Sequence, residues 1–579
     1  MKKILTAKWP QKLIVLLHFL ALISLIFDYG FSLYPFAIKS IVTLYFTVLF
    51  LGVSFTVLKY IYHKKEFILG VFIFDLLSFG FVAFCVFKQI SLHSLTDISH
   101  WLRLAIILKL ITEFTRARIS YKRSLLNPAQ LFILSFMLLI LSGALLLMLP
   151  KATTHGITFI DALFTSTSAV CVTGLIVVDT SSYFTFFGKT IIMILIQAGG
   201  LGILTFASYF SYFFKGGSSY ENQLALSDMT NSDKIGEVFT TVKRILVITF
   251  FIETIGALLI YLNLDKAILP SISDRIYFSV FHSISAFCNA GFSTLPNNLM
   301  QEGYVYNYPL QFIIILIFVF GGLGFPIVIN SLKYLKHILI RHILKFAKRT
   351  YNYRPWILTL SNKINLNTTL ILIILGTSII YIKEYYNVLQ GHSTIGKFIT
   401  ALFTATTPRT AGFNSIDFSQ LHFSSIIIII LLMWIGASPA STGGGIKTST
   451  FAIATLNYLS LAKGKTKIEI FRREIADISV RRAFAVMSLS LVIIGISIML
   501  IAHFNDNVPL LDIAFETFSA YSTSGLSLGI TGSLTNQSKL VLIATMFIGR
   551  VSMLTILIAF FKRMKQPNYH YPADEILIN

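Results

Sequence analysis

Two kinds of apolar run alternate along the chain. The long ones, at 131–149, 190–214, 245–262 and 426–436 with its flank, are extended enough to cross the roughly 30 Å of bilayer hydrocarbon as helices. An earlier run at 13–27 is followed by further spans rather than by a small-residue cleavage site, so it reads as a retained helix. The short runs cover about ten to fifteen residues, too few to cross. Each ends in small polar residues, a glycine and a large apolar side chain.

Four such endings line up: TSTSAVCVTGL (165–175), HSISAFCNAGF (282–292), FTATTPRTAGF (403–413) and ETFSAYSTSGL (516–526). Their closing glycines, Gly174, Gly291, Gly412 and Gly525, lie 117, 121 and 113 residues apart, and a near-constant period of that kind marks a repeat. Asp161, Asp274 and Asp512 open three of the short runs, where a helix N-terminus favours negative charge, while Gly396 stands in the third. The pattern predicts four re-entrant helices that descend part-way and return as extended backbone. Irregular backbone in a membrane must be buried in protein or line a watery path, because lipid cannot bond its N–H and C=O groups. Four copies meeting on one axis satisfy that condition, and their carbonyls can replace the hydration shell of a monovalent cation. Four ordinary external loops would explain neither the period nor the short helices.

Composition narrows the class further. Of 579 residues 55% are hydrophobic and only 12% charged, with a mean hydropathy of +0.76, which describes a polytopic membrane protein. The net charge of +22 raises nucleic acid as a partner, but the segments 116–123, 333–363, 463–482 and 562–565 hold 22 of the 47 basic residues. Basic connections that alternate with nearly bare ones are a topology signal, which makes these four cytoplasmic and attractive to anionic membrane lipid rather than to nucleic acid. Cys85, Cys171 and Cys288 have no disulfide or metal-ligand spacing. The 12 histidines are scattered, no H-E-x-x-H occurs, and Glu253 and Glu516 stand alone in separate spans, so no enzymatic constellation forms.

Two polar features interrupt the later spans. GASPASTGGGIKTST (436–450) carries Pro439 and three successive glycines, so the helix must break there. Arg550 in FIGRVSML sits mid-span, where a charge costs several kcal/mol unless it finds a partner or a watery cavity.

Together the motifs AVCVTGL, SISAFCNAGFS, TPRTAGFNSIDF and SGLSLGIT resemble the Trk/Ktr/HKT superfamily of potassium transporters, in particular its bacterial TrkH/KtrB-like membrane subunits, over roughly 125–579. The resemblance implies potassium uptake across the cell membrane through a filter at 171–174, 288–291, 409–412 and 522–525. Its ligands would be main-chain carbonyls of Cys171, Val172, Thr173, Gly174, Cys288, Asn289, Ala290, Gly291, Thr410, Ala411, Gly412, Thr523, Ser524 and Gly525. Arg409 would turn behind the filter, toward a carboxylate or carbonyl. A gate follows, an intramembrane loop with Gly436, Ser441, Thr442, Gly443, Gly444, Gly445 and Lys447, beside Arg550 as barrier and anchor. Ser552 and Met553 depart from the family's glycine and proline, which puts the helix geometry there in question. The resemblance further implies a homodimer, a separate cytosolic nucleotide-binding ring (TrkA/KtrA-like), potassium in the filter with sodium as a candidate coupling or activating ion, and no covalent cofactor.

The expected fold is an all-α membrane protein: pseudo-fourfold repeats of helix, re-entrant helix and loop, and helix at 123–244, 245–364, 365–483 and 484–579, the last with a cytoplasmic tail, around a central pore. Residues 1–122 add about four helices, near 13–28, 38–61, 67–88 and 102–115. WLRLAIILKLITEFTRAR threads Arg103, Lys109, Arg116 and Arg118 through the last of them, and Asp75 lies in the helix before, loosely as in a voltage-sensor domain. The spacing is sparser than a sensor needs and favours an auxiliary bundle with snorkelling ends. Both termini are expected in the cytoplasm of a multi-pass inner-membrane protein. The competing function, a secondary transporter coupling sodium or proton to a solute, usually rests on two inverted halves instead of four copies.

Overall fold

In a computed structural model, residues 8–32, 34–62, 69–92, 100–116, 128–213, 238–346 and 359–560 are described. Their helices divide between two compact units, one made of Met1–Lys122, Leu145–Thr158 and Ser182–Ile191, the other of Arg123–Ala144, Phe159–Ser181 and Ile192–Asn579.

The first unit is built on α1 (Lys8–Gly30), α2 (Pro35–Tyr62), α3 (Leu69–Leu92) and α4 (His100–Arg116). They pack through Ala21, Tyr45, Val48, Cys85, Leu102 and Ile106, all buried. Arg103 closes a bidentate pair on Asp28 of α1, with Nε 2.7 Å from Oδ2 and Nη2 2.9 Å from Oδ1, and its guanidinium lies 4.9 Å from the centre of the Tyr29 ring. Lys109 Nζ donates to Thr56 Oγ1 at 3.1 Å, and the Tyr60 hydroxyl donates to Asp75. Arg118 and the Arg116 side chain lie outside the described residues.

The second unit carries the repeats. Each begins with a helix: α5 (Pro128–Leu147), α8 (Val238–Asn263), α12 (Leu360–Glu384) and α16 (Asp477–Phe504). A short helix follows: α6 (Phe159–Val170), α9 (Ile272–Phe287), α13 (Thr394–Thr406) and α17 (Leu510–Ser522). At 12 to 16 residues and about 1.5 Å of rise each, none of the four crosses a bilayer. Asp161, Asp274 and Asp512 occupy first turns as anticipated; the third copy uses Ser393 instead, whose Oγ accepts from Gly396 N at 3.1 Å.

The closing helices are α7 (Phe186–Phe213), α10 (Tyr308–Leu323) with α11 (Phe325–Phe346), α14 (Phe423–Trp434) with α15 (Thr448–Ala462), and α18 (Asn536–Val551) with α19 (Met553–Phe560). α10 and α11 form a broken span that bends by 108°, and the other two pairs are interrupted at 435–447 and at Ser552. The apolar run at 426–436 therefore makes only half a crossing before the backbone unwinds. Phe36–Leu58, Lys243–Asn263, Leu360–Glu384 and Asp477–Phe504 are each long and apolar enough to cross alone. Buried Phe278, Phe287, Phe318, Phe325, Phe403 and Phe413 knit the second and third repeats together. Among helices in lipid, such close packing replaces the hydrophobic effect as the cohesive force.

One element escaped the helical pattern. Between α15 and α16, Glu469–Ile470 pairs antiparallel with Arg473–Glu474. Phe471 and Arg472 make its turn at φ 50° and 63°.

Candidate functional site

Each short helix ends in the same way. Residues two before the closing glycine, Val172, Asn289, Thr410 and Thr523, are left-handed at φ 57°, 60°, 71° and 52°. The glycines follow at 94°, 69°, 75° and 82°. In three copies the amide between them reaches back five residues: Thr173 N to Ser168 O, Ala290 N to Ser285 O and Ser524 N to Ser519 O, at 2.8, 2.7 and 2.9 Å. A left-handed turn closed this way satisfies the last helical carbonyls, and a second left-handed residue after it turns neighbouring carbonyls toward one side.

The four endings meet. A methyl group built on Gly174 would overlap the Ala290 carbonyl oxygen; one on Gly291 would lie 2.7 Å from Gly412 Cα; one on Gly412, 2.7 Å from Ser524 O; and one on Gly525 would overlap Thr173 O. Each glycine thus faces the next segment, and the fourth faces the first, so the ring closes. All four border one cavity of about 480 Å³, with Asp179 and Asp417 on its wall.

Hydroxyl and amide side chains hold the ring from behind. Ser168 Oγ accepts from Gly174 N at 3.1 Å, Ser285 Oγ donates to Phe292 O at 2.7 Å, Thr407 Oγ1 to Phe413 O at 2.6 Å and Ser524 Oγ to Pro408 O at 3.0 Å. The Asn289 amide nitrogen faces the Phe287 and Phe318 carbonyls and Thr442 Oγ1, and its oxygen accepts from Thr410 Oγ1 at 3.3 Å. Cys171 and Cys288 are buried free thiols. Glu516, buried, accepts from Ser527 and from Thr531 Oγ1 at 3.0 Å, and His282, at the matching place in the second copy, bonds Ser293 Oγ at 2.9 Å.

The unwound stretch between α14 and α15 sits against these endings. Gly444 N donates to Thr523 Oγ1 at 2.9 Å, and a methyl on Gly443 would strike Thr410 Oγ1. Ser438 N bonds Gly322 O at 2.9 Å, Gly436 packs on the Gly444 carbonyl, and Ser441 is buried. Gly445 turns at φ 67° with Ser522 Cβ 3.1 Å from where its own Cβ would be. Two cations grip the stretch: Lys447 Nζ donates to Gly443 O at 2.6 Å and Gly444 O at 3.3 Å, while Arg550 donates to Thr442 O and, at 2.9 Å, to Gly199 O. The helix also breaks at Ser552, at φ 73° and ψ 128°, close to the 83° and 145° of Gly324. The substituted serine keeps the geometry that its identity had put in question. Arg409 does turn behind the ring, but its partner is the Thr369 hydroxyl, 3.3 Å from Nη2, instead of a carboxylate or carbonyl.

A second glycine set was overlooked in the sequence. Methyls on Gly199, Gly321 and Gly549 would overlap the carbonyls of Val170, Phe287 and Tyr521, each in the last turn of a short helix. The shared G-G-L-G of 199–202 and 321–324 was the available signal.

A family model for a cation transport protein, TrkH, matches residues 95–571. The chain belongs to this TrkH family. Among similar proteins, Ktr system potassium uptake protein B of Bacillus subtilis is 39% identical over 454 residues, covering 78% of this chain and 96% of that protein. The potassium/sodium uptake protein NtpJ of Enterococcus hirae is 34% identical over 467 residues, with 79% and 98% covered. The crystal structure of the potassium transporter TrkH from Vibrio parahaemolyticus shares the fold at a TM-score of 0.60 and 17% identity, covering 84% of this chain and 97% of that one. The TrkH family is one of ion transporters, and this member is a multi-pass helical membrane protein.

Proposed function

We propose that the chain takes up potassium through a pore lined by the main-chain carbonyls of the four glycine endings. The observation that carries this reading is the closed ring, in which Gly174, Gly291, Gly412 and Gly525 face one another's neighbours in chain order. The repeats 123–244, 245–364, 365–483 and 484–579 contribute one quarter each, and residues 1–122 form an accessory bundle. Below the ring, the stretch from Gly436 to Lys447 is the gate, latched shut by Lys447 and Arg550. A dehydrated potassium ion is held by carbonyl dipoles, and positive charge beneath it disfavours passage while the latch is closed. Both termini face the cytoplasm of a cell whose inner membrane holds the protein. Two copies form a homodimer, and a separate nucleotide-binding ring docks on the inner face, where Lys463, Lys465, Arg472 and Arg473 are exposed.

Growth of a potassium-uptake-deficient bacterium at low potassium tests the reading. Wild-type protein should restore growth, and Gly291→Ala should not, although it reaches the membrane, because φ 69° and the neighbouring Gly412 leave no room for a methyl. Full growth with Gly291→Ala would remove the ring from the permeation path.

A further inference from the structure

Arg409 is an unusual charge to find behind this ring. It is only 8% exposed, Nη2 has a neutral partner, Thr369 Oγ1, at 3.3 Å, and Nε has no acceptor. No carboxylate pairs with it among the described residues. Guanidinium does not shed its proton, so the charge cannot be relieved by neutralisation, and an unpaired buried charge costs several kcal/mol. Arg550, the other buried arginine of this layer, bonds two carbonyls. Among the described residues Arg409 has no counter-charge.

Arg409 borders a cavity of about 20 Å³, together with Thr369, Thr406, Phe318, Ile373 and Ala437. That is room for one particle the size of a water molecule or a halide. Thr406 Oγ1 is committed to the Leu402 carbonyl at 2.6 Å. Thr369 accepts from Arg409 and so keeps its own hydroxyl proton to give. Two residues with hydrogen-bond donors, one of them charged, therefore line a small and mostly apolar space. Such a space suits a small monovalent anion, whose lost hydration is offset by the buried guanidinium charge and the hydroxyl donor.

We propose that this cavity is a binding site for a single small monovalent anion of chloride size, which neutralises Arg409 behind the third filter segment. The site is independent of what the pore conducts.

Purified full-length protein, held at constant potassium in gluconate, is titrated with chloride or bromide while its melting temperature is followed. A saturable rise of about 2 °C or more is expected, as for any ligand that binds only the folded state, and Arg409→Gln should abolish it. Crystals grown with bromide should show an anomalous peak in the cavity. Should Arg409→Gln fail to fold, Ile373→Phe fills the cavity from α12 and should lose the halide response with the guanidinium intact. A wild-type melting temperature indifferent to halide, a bromide-free cavity, or an undiminished response in Arg409→Gln would each overturn the site.

Discussion

Lys447 and Arg550 bind three consecutive carbonyls, those of Thr442, Gly443 and Gly444. These oxygens belong to the stretch packed against the ring, and on the proposed reading they would otherwise be free to coordinate a cation leaving it. Hydrogen bonds to charged groups are each worth about 1.5–3 kcal/mol. Arg550 makes two, to Thr442 and to Gly199, and so ties the loop to α7 as well. Removing it should shift the loop toward open by roughly tenfold or more. Arg550→Ala is therefore expected to raise rubidium uptake, whereas Lys562→Ala on the basic tail should leave it unchanged; equal uptake in the two variants would take Arg550 out of the gate. Arg550 was legible in the sequence, because a charge inside an apolar run must find a partner, while Lys447 entered only with the family resemblance. Their partners were not legible, since carbonyls carry no signature of which side chain will reach them. Asn298 was invisible for a similar reason: its amide donates to Gly291 O at 3.3 Å from a loop that reads as ordinary connection.

At the level of whole elements, the breaks in the closing helices set where the proposed gate can lie. Gly324 permits φ 83°, and Pro326 after it stops α10 from continuing through, both readable in GLGFP. Ser552 adopts nearly the same angles with neither residue, so packing within the repeat imposes them against local preference. A non-glycine residue held there costs of order 1–3 kcal/mol. Ser552→Gly should stabilise the protein by about 1 kcal/mol in reversible denaturation, and Ser552→Val should destabilise it by more than that, since a branched side chain is worse in that region. A Ser552→Gly variant no more stable than wild type would mean the serine is unstrained. The hairpin at 469–474 hid in the same manner, because Phe471 and Arg472 take the two left-handed turn positions that Asn-Gly usually announces. The short helices were legible by contrast, since their length, first-turn acids and closing glycines are local properties.

Across the molecule, the fourfold period could be read because closing glycines tolerate no replacement by a larger residue, so they stay visible while the surrounding sequence drifts. What the period could not give is the outer cavity, which forms only when four loops are brought together. Its wall carries two carboxylates, Asp179 and Asp417, and among the described residues no lysine or arginine. Each acid is turned by its own loop: Asp179 accepts from Ser181 Oγ at 2.6 Å, and Asp417 from Ser419 Oγ at 2.7 Å. The contact with Ser419 leaves the Asp417 carboxylate charged, so the cavity should concentrate cations at the ring. A unit charge about 8 Å from an ion in a water-like dielectric lowers its energy by roughly 0.5 kcal/mol, and a concave wall focuses the field further. Asp417→Asn should therefore raise the apparent KM for potassium about twofold at low ionic strength, with maximal uptake unchanged. Raising an inert salt to about 0.5 M shortens the screening length to a few ångströms and should erase the difference. A fall in maximal uptake instead, or a KM effect that persists at high salt, would mean that Asp417 acts by contact with the ion or by holding its loop, and not through its field.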